Sequence, residues 1–264
     1  MIGNRGKYKP IVGLESAVDN DPQRNWCQGL IRRWSEAVSP GSSSDSSVTV
    51  AKYLSVMSSD YKAALHRYLA DARQAMLWKL EGFSEYDIRR PLTPHGTNLL
   101  GLVKHLSGRE IGYFGLVFDR PFADPPAWLT TTDSKPDPIR DMWATADESR
   151  SDIVVLYGRA CQHSDHTIEA LSLDDRGQIP AWPEHRRSVT LHDVLVHMLA
   201  ETTRHAGHAD ILRELIDNTT GVTPGGLQPP DANDPDFWPR TYERIDSAAR
   251  EAAAHASWST PTTR

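Results

Sequence analysis

Glu201 and His205, four residues apart, lie on the apolar side of the segment 191-LHDVLVHMLAETTRHAGHADILREL-215. At about 100° per residue, Val194, Met198, Glu201, Ala209, Leu212 and Ile216 all fall within about 40° of His205. An ionised carboxylate in such a stripe costs several kcal/mol unless something pairs with it. A divalent metal is one such partner, because Glu and His at i,i+4 offer two ligands to one ion. The alternatives are an arginine or histidine from a neighbouring helix, or escape of the Glu201 side chain to the bundle surface.

A metal on this helix needs a further ligand from a facing element, and His105 in 98-NLLGLVKHLSGREIGYFGL-116 is the best candidate. Asn98, Gly101, Gly112 and Leu116 share its face. Glycine inside a helix costs about 1 kcal/mol against alanine, which points to space or close approach on that side. The competing account is close helix packing around a hydrogen-bonded core histidine. His208 lies about 60° from His205, near enough to line the pocket or hold a ligand's ring. His197, about 80° away, sits at the edge, His163 and His166 form an i,i+3 pair suited to a surface, and His95 is in a loop.

No other catalytic apparatus competes. The chain has no glycine-rich phosphate loop, nucleophile elbow or His-Glu-x-x-His zinc signature. Cys27 and Cys161 are its only cysteines and offer neither a disulfide framework nor a metal knuckle. Cys161, inside a helical segment, reads as a buried structural residue. With 35 acidic residues against 29 lysines and arginines, the net charge is −6. That argues against a nucleic-acid groove, which needs a dense basic patch. No stretch is apolar for the roughly 18 residues of a membrane-crossing helix, and no signal peptide is evident at the N-terminus. A cytoplasmic protein with no membrane partner is the default expectation.

The elements that must position these residues read as all-α. At 264 residues one sizeable core is expected. Residues 1–56 form an N-terminal arm or an upstream extension, with a short helix over 23–38 (Leu30, Ile31 and Trp34 inward) and a flexible linker over 39–47. A bundle domain over 57–256 and a tail over 257–264 follow. The first long helix spans about 58–82 and ends at Gly82. The second spans Asn98 to Val117 with Thr97 as cap. A crossover over 121–138, which five prolines keep from regular structure, leads to a third helix over 139–172, interrupted near 147–152. Thr190 and Asp193 form a capping box that starts the fourth helix, with Val189 and Val194 as hydrophobic staple. A final helix covers 240–256. Val48–Val50 and Ile153–Leu156 are too short or too helical in pattern to count as strands.

The pieces 75-AMLWKLEGFSEYDIRRPLTPHGTNLLGLVKHLSGREIGYFG-115 and 188-SVTLHDVLVHMLAETTRHAGHADILRELID-217 resemble the DinB/YfiT-like superfamily, and within it the actinobacterial mycothiol-dependent branch. The resemblance covers about 58–256. It implies a four-helix bundle with long crossovers, holding a divalent metal (zinc or nickel in relatives) through three side chains. The ligands it implies are His105, Glu201 and His205; many relatives have histidine in place of Glu201, but the isomerase branch has glutamate. It further implies a low-molecular-weight thiol such as mycothiol, transferred to a small electrophile or used for isomerisation. Arg109, one turn beyond His105, would meet a carboxylate of the thiol or substrate, unless it pairs with Glu110 or Asp119 outside the pocket. Tyr113 and Trp78 would form an apolar wall. Asp210, about 140° from His205, points elsewhere. The loops at 84–97, 119–138 and 173–187 would shape the pocket.

The leading expectation is therefore a metal-dependent thiol transferase. A non-catalytic ligand-binding or stress-related bundle is one alternative. A metal-dependent hydrolase is another, with His208 as the only nearby general base. A homodimer through bundle faces is compatible with either, with Trp26, Ile31 and Trp34 of the arm covering a neighbour or their own bundle.

Overall fold

Thr190 accepts a hydrogen bond from the Asp193 N–H while the Asp193 carboxylate accepts one from the Thr190 N–H, so the capping box is present. The helix it starts, Leu191–Asp217, is the fourth long element of a helical bundle and ends at Asn218 in the left-handed region, φ 59°. The computed structural model describes residues 46–130, 137–225 and 234–258. In chain order the helices are α1 (Ser46–Trp78), α2 (Glu85–Arg89), α3 (Leu99–Glu110), α4 (Ala127–Thr130), α5 (Arg150–Ala170), α6 (Leu191–Asp217) and α7 (Phe237–Trp258). A π-helix, Ile111–Gly115, and a 3-10 turn, Leu116–Phe118, prolong α3. Two compact units divide the chain, Met1–Leu54 and Ser55–Arg264. Of the first, only the backbone from Ser46 onward is described, as helix. The short helix and most of the linker expected in residues 1–56, with Trp26, Cys27, Ile31 and Trp34, lie outside the described residues.

The core forms where the apolar faces of α1, α3, α5 and α6 meet. Met76, Leu99, Leu102, Leu106, Ile153, Tyr157, Ala209 and Leu212 belong to one buried cluster. Leu69, Phe114, Ile168, Leu191 and Leu195 belong to a second, with Ile179 and Val189 beside β2. Burying such side chains contributes roughly 1.5–3 kcal/mol each, and the four faces can be covered only by one another. Among the described residues no helix is long and apolar enough to cross a membrane.

Several expectations need correction. Two short strands exist, β1 (Arg176–Gln178) and β2 (Ser188–Thr190), paired antiparallel with Gly177 opposite Val189. Three residues are too few to show an alternation. A Cβ at Gly177 would crowd the Val117 carbonyl, so glycine lets the hairpin lie against the end of the second long helix. The cap of α3 is Asn98, not Thr97: its side chain accepts from the Gly101 N–H at 2.8 Å. The third long helix begins at Arg150, with Ser149 capping Asp152, so 139–149 is an irregular loop. The apolar Ile139 and Met142 of that loop imitate a helical period. The Ser84-capped α2 interrupts the 84–97 loop, and α4 supplies one turn inside the proline-rich crossover. The first long helix starts upstream of 58, stops at Trp78, and turns through Gly82 at φ 81°.

Candidate metal centre

His105 reaches the centre from the middle of α3, and Glu201 and His205 reach it from successive turns of α6. One ligand atom from each of the three lies within 4.8 Å of the others. His105 Nε2 is 3.2 Å from Glu201 Oε1, and His205 Nε2 is 3.3 Å from the same oxygen. The two rings stand edge to face, 5.0 Å apart at their centroids. His205 is buried, whereas the Glu201 side chain keeps 24% of its surface, so the carboxylate sits at the rim of the apolar stripe.

The far nitrogens of both rings are occupied. His105 Nδ1 lies 2.8 Å from Asp141 Oδ2. An ionised carboxylate can only accept, so His105 carries its proton on Nδ1 and, when neutral, presents a bare Nε2 to Glu201. His208 Nδ1 lies 3.3 Å from His205 Nδ1, so one of those two nitrogens holds the shared proton. Bare ring nitrogens and a carboxylate oxygen facing one another require a second proton or a cation between them. This donor set, two imidazoles and one carboxylate with a carboxylate behind one ring, fits a divalent metal with a coordination position left over.

The electrostatics point the same way. Burial pushes the Glu201 carboxyl up, but the hydrogen bond to His105 and the neighbouring His205 outweigh it and hold it below its ordinary value. Burial, then the proximity of His105, pulls the His205 imidazole down, which favours its neutral form. The His105 hydrogen bond holds the Asp141 carboxyl at about 2 against the opposing effect of burial, with Arg109 adding to the depression.

Asp141 is the residue that sequence reasoning missed, because the segment carrying it had been read as helix. Three contacts pin its loop against α3 and α5. Asn98 Nδ2 donates to the Met142 carbonyl at 3.2 Å, and Lys104 Nζ donates to the Trp143 carbonyl at 2.9 Å and to Glu148 Oε2 at 2.8 Å. A Cβ at Gly101 would overlap the Met142 carbonyl. Close approach is therefore why glycine stands on this face of α3, while Gly112 faces open space, with nothing within 4 Å of a Cβ.

Arg109 does not pair with Glu110 or Asp119. Its Nη2 donates to Asp141 Oδ2 at 3.0 Å, and its Nε is buried without a partner. Glu110 turns the opposite way and accepts two hydrogen bonds from Arg73 inside the bundle, each at 2.7 Å. Arg109 lines two clefts. One, about 310 Å³, lies between the π-helix and residues 178–182 and includes Tyr113. The other, about 240 Å³, is bounded by Trp128, Leu129, Asp137, Arg140 and Asp141. The 119–138 and 173–187 loops thus shape the pockets; 84–97 contributes no lining residue to either cleft.

Trp78 is not the partner of Tyr113. Its indole stacks under Lys79 and Arg213, and its Nε1 donates to the Val222 carbonyl. Trp182 takes that place, with its ring 6.4 Å from Tyr113. His197, expected at the edge, packs its ring against both. His163 bonds the Arg120 carbonyl instead of pairing with His166. Asp210 stays away from the centre and pairs with Lys79. Burial drives the Cys161 thiol well up, so it is a poor nucleophile at neutral pH.

A family model described as mycothiol-S-transferase matches residues 64–218. That stretch contains His105, Glu201 and His205 together with Arg109, Tyr113, Asp141 and His208. No curated protein and no solved structure matches the chain.

Proposed function

The chain belongs to the mycothiol-S-transferase family, and we propose that it joins mycothiol, or a similar low-molecular-weight thiol, to a small electrophile at a divalent metal held by His105, Glu201 and His205. The observation that carries this reading is the convergence of two imidazole nitrogens and one carboxylate oxygen within 4.8 Å. Zinc is the preferred ion, since nitrogen and oxygen donors from three side chains are its usual catalytic set. When bound, the ion supplies a lowered thiol pKa, so that a thiolate is available near pH 7.

The chain's own residues do the rest. Asp141 keeps the His105 proton on Nδ1 and its Nε2 free. His208 holds the His205 ring through Nδ1, on the edge opposite Glu201, which makes it a positioning residue in place of the general base considered from sequence. With His208 engaged there, the hydrolase reading loses its base. Arg109 offers a guanidinium to an anionic group of a reactant. In the transfer, a C–S bond forms, the leaving group departs with its electron pair, and the thiol proton passes to solvent.

The test is metal analysis combined with a conjugation assay. Purified protein should carry close to one divalent ion per chain and join mycothiol to chlorodinitrobenzene with release of chloride. His205→Ala should lose both properties. Full metal occupancy in that variant would sink the ligand set. Cobalt-loaded protein whose spectrum ignores every thiol tried would favour a bundle that binds without catalysis.

A further inference from the structure

The cleft between the π-helix and residues 178–182 has a chemical character of its own. Tyr113, Leu116, Val117, Ile179 and Trp182 supply its walls, and Arg109 is the single charged residue among those that line it. Tyr113, Trp182 and His197 form a three-ring cluster, with centroids 4.5 to 6.4 Å apart. Burial raises the Tyr113 phenol and lowers the His197 imidazole, so both rings are uncharged near neutral pH. The cluster adjoins the centre through α6, where His197 lies one turn before Glu201.

Three features restrict what fits. Aromatic edges and faces favour a flat π-system over a branched aliphatic one. The volume of about 310 Å³ compares with roughly 150 Å³ for an apolar cavity that accepts a benzene, so one or two rings fill it. One guanidinium, with Nη2 given to Asp141 and Nε unpaired, has donors left for a single anionic group. The other cleft suits an anion poorly, because Asp137 and Asp141 line it beside the arginines. Its mixed charges suit a neutral, hydroxyl-rich molecule.

We propose that the aromatic cleft is the electrophile subsite and that its substrate class is an aromatic carboxylate of one or two rings, held by Arg109 and stacked on Tyr113 and Trp182. This rests on the thiol-transfer reading and adds the identity of the second reactant. For a halogenated aromatic carboxylate, the thiol sulfur bonds to the halogen-bearing carbon. The halide leaves with the electron pair of the broken bond, and the thiol proton goes to solvent.

Two measurements separate this proposal from the reading beneath it. The first is calorimetric binding of 3,5-dinitrobenzoate, which cannot react, to the metal-loaded protein without thiol. Wild type should bind it, Arg109→Gln should weaken binding by about tenfold, the loss of one charge-assisted contact, and Gly112→Leu should block the cleft. Leucine at 112 meets no protein atom at its Cβ and raises helix propensity, so that variant keeps its fold. Undiminished binding by Gly112→Leu would overturn the location, and undiminished binding by Arg109→Gln would overturn the anion contact. The second is kcat/KM with mycothiol for 4-chloro-3,5-dinitrobenzoate against chlorodinitrobenzene. Wild type should prefer the carboxylate and Arg109→Gln should bring the ratio close to one; a wild-type preference for the neutral probe overturns the proposal. Dinitrobenzoate binding in the cleft with no conjugation by any thiol would defeat the transferase reading alone. Conjugation of the neutral probe without dinitrobenzoate binding would defeat the aromatic-carboxylate proposal alone.

Discussion

A carboxylate shared between His105 Nδ1 and Arg109 Nη2 ties a metal donor and an anion-binding group to one atom, Asp141 Oδ2. Replacing it by asparagine keeps the volume and all three donors but gives His105 a weaker acceptor, and an amide able to turn its NH₂ toward the ring. Removing such an outer partner typically costs about 10–100-fold in metal affinity. Asp141→Asn is therefore expected to lose zinc to a colorimetric chelator at a correspondingly lower chelator concentration, while His205→Ala loses it outright. An unchanged competition curve would mean that Asp141 serves only Arg109. The contrast with the donors explains what was legible. Glu201 and His205 announce themselves because a helix repeats its face every few residues, and His105 because a glycine-flanked helix faces them. Asp141 sits on a loop without a period, and nothing in its neighbours' spacing ties it to a histidine 36 positions earlier in the chain.

At the scale of elements, α6 depends on its first turn, where Asp193 accepts hydrogen bonds from the Thr190 N–H and hydroxyl. Those bonds, the backbone one foremost, hold the Asp193 carboxyl below its ordinary value. A carboxyl whose pKa falls on folding stabilises the protein above its unfolded value, about pH 4. It ceases to do so as pH drops through the folded value. Asp193→Ala should thus be less stable than wild type by roughly 1 kcal/mol at pH 7, measured by urea denaturation. The gap should close as the pH is lowered below 4; a gap that persists there would assign the effect to packing. This cap was readable residue by residue because its signature is local. The start of α5 carries the comparable Ser149/Asp152 signature, but the apolar Ile139 and Met142 upstream obscured it. The hairpin left no trace because its strands are three residues each and are specified by what Gly177 lies against.

For the molecule as a whole, every donor and every side chain that holds one comes from α3, the loop before α5, and α6, all within the unit Ser55–Arg264. A chain begun at Ser55 is expected to bind one metal per chain with unaltered affinity. Because α1 is then cut within its length, its melting temperature should fall by a few degrees. Thermal melting and metal analysis check both, and loss of metal on truncation would place part of the centre's support in the first unit. The bundle class and its four long helices were legible because four amphipathic faces have only one another to cover. The clefts were not, since their walls come from loops whose paths depend on tertiary contacts.

The π-helix at Ile111–Gly115 makes chain length at this point a variable in its own right. Such a turn holds one residue more than an α-turn. Deleting a single residue there would return the rod to regular winding and rotate all that follows by about 100° relative to His105. His105 and Arg109 would keep their directions, while Leu116 and Val117 would swing away from the cleft. Insertion or deletion at this one place therefore changes the reactant that fits without disturbing the metal donors, a route to new specificity that no point substitution offers.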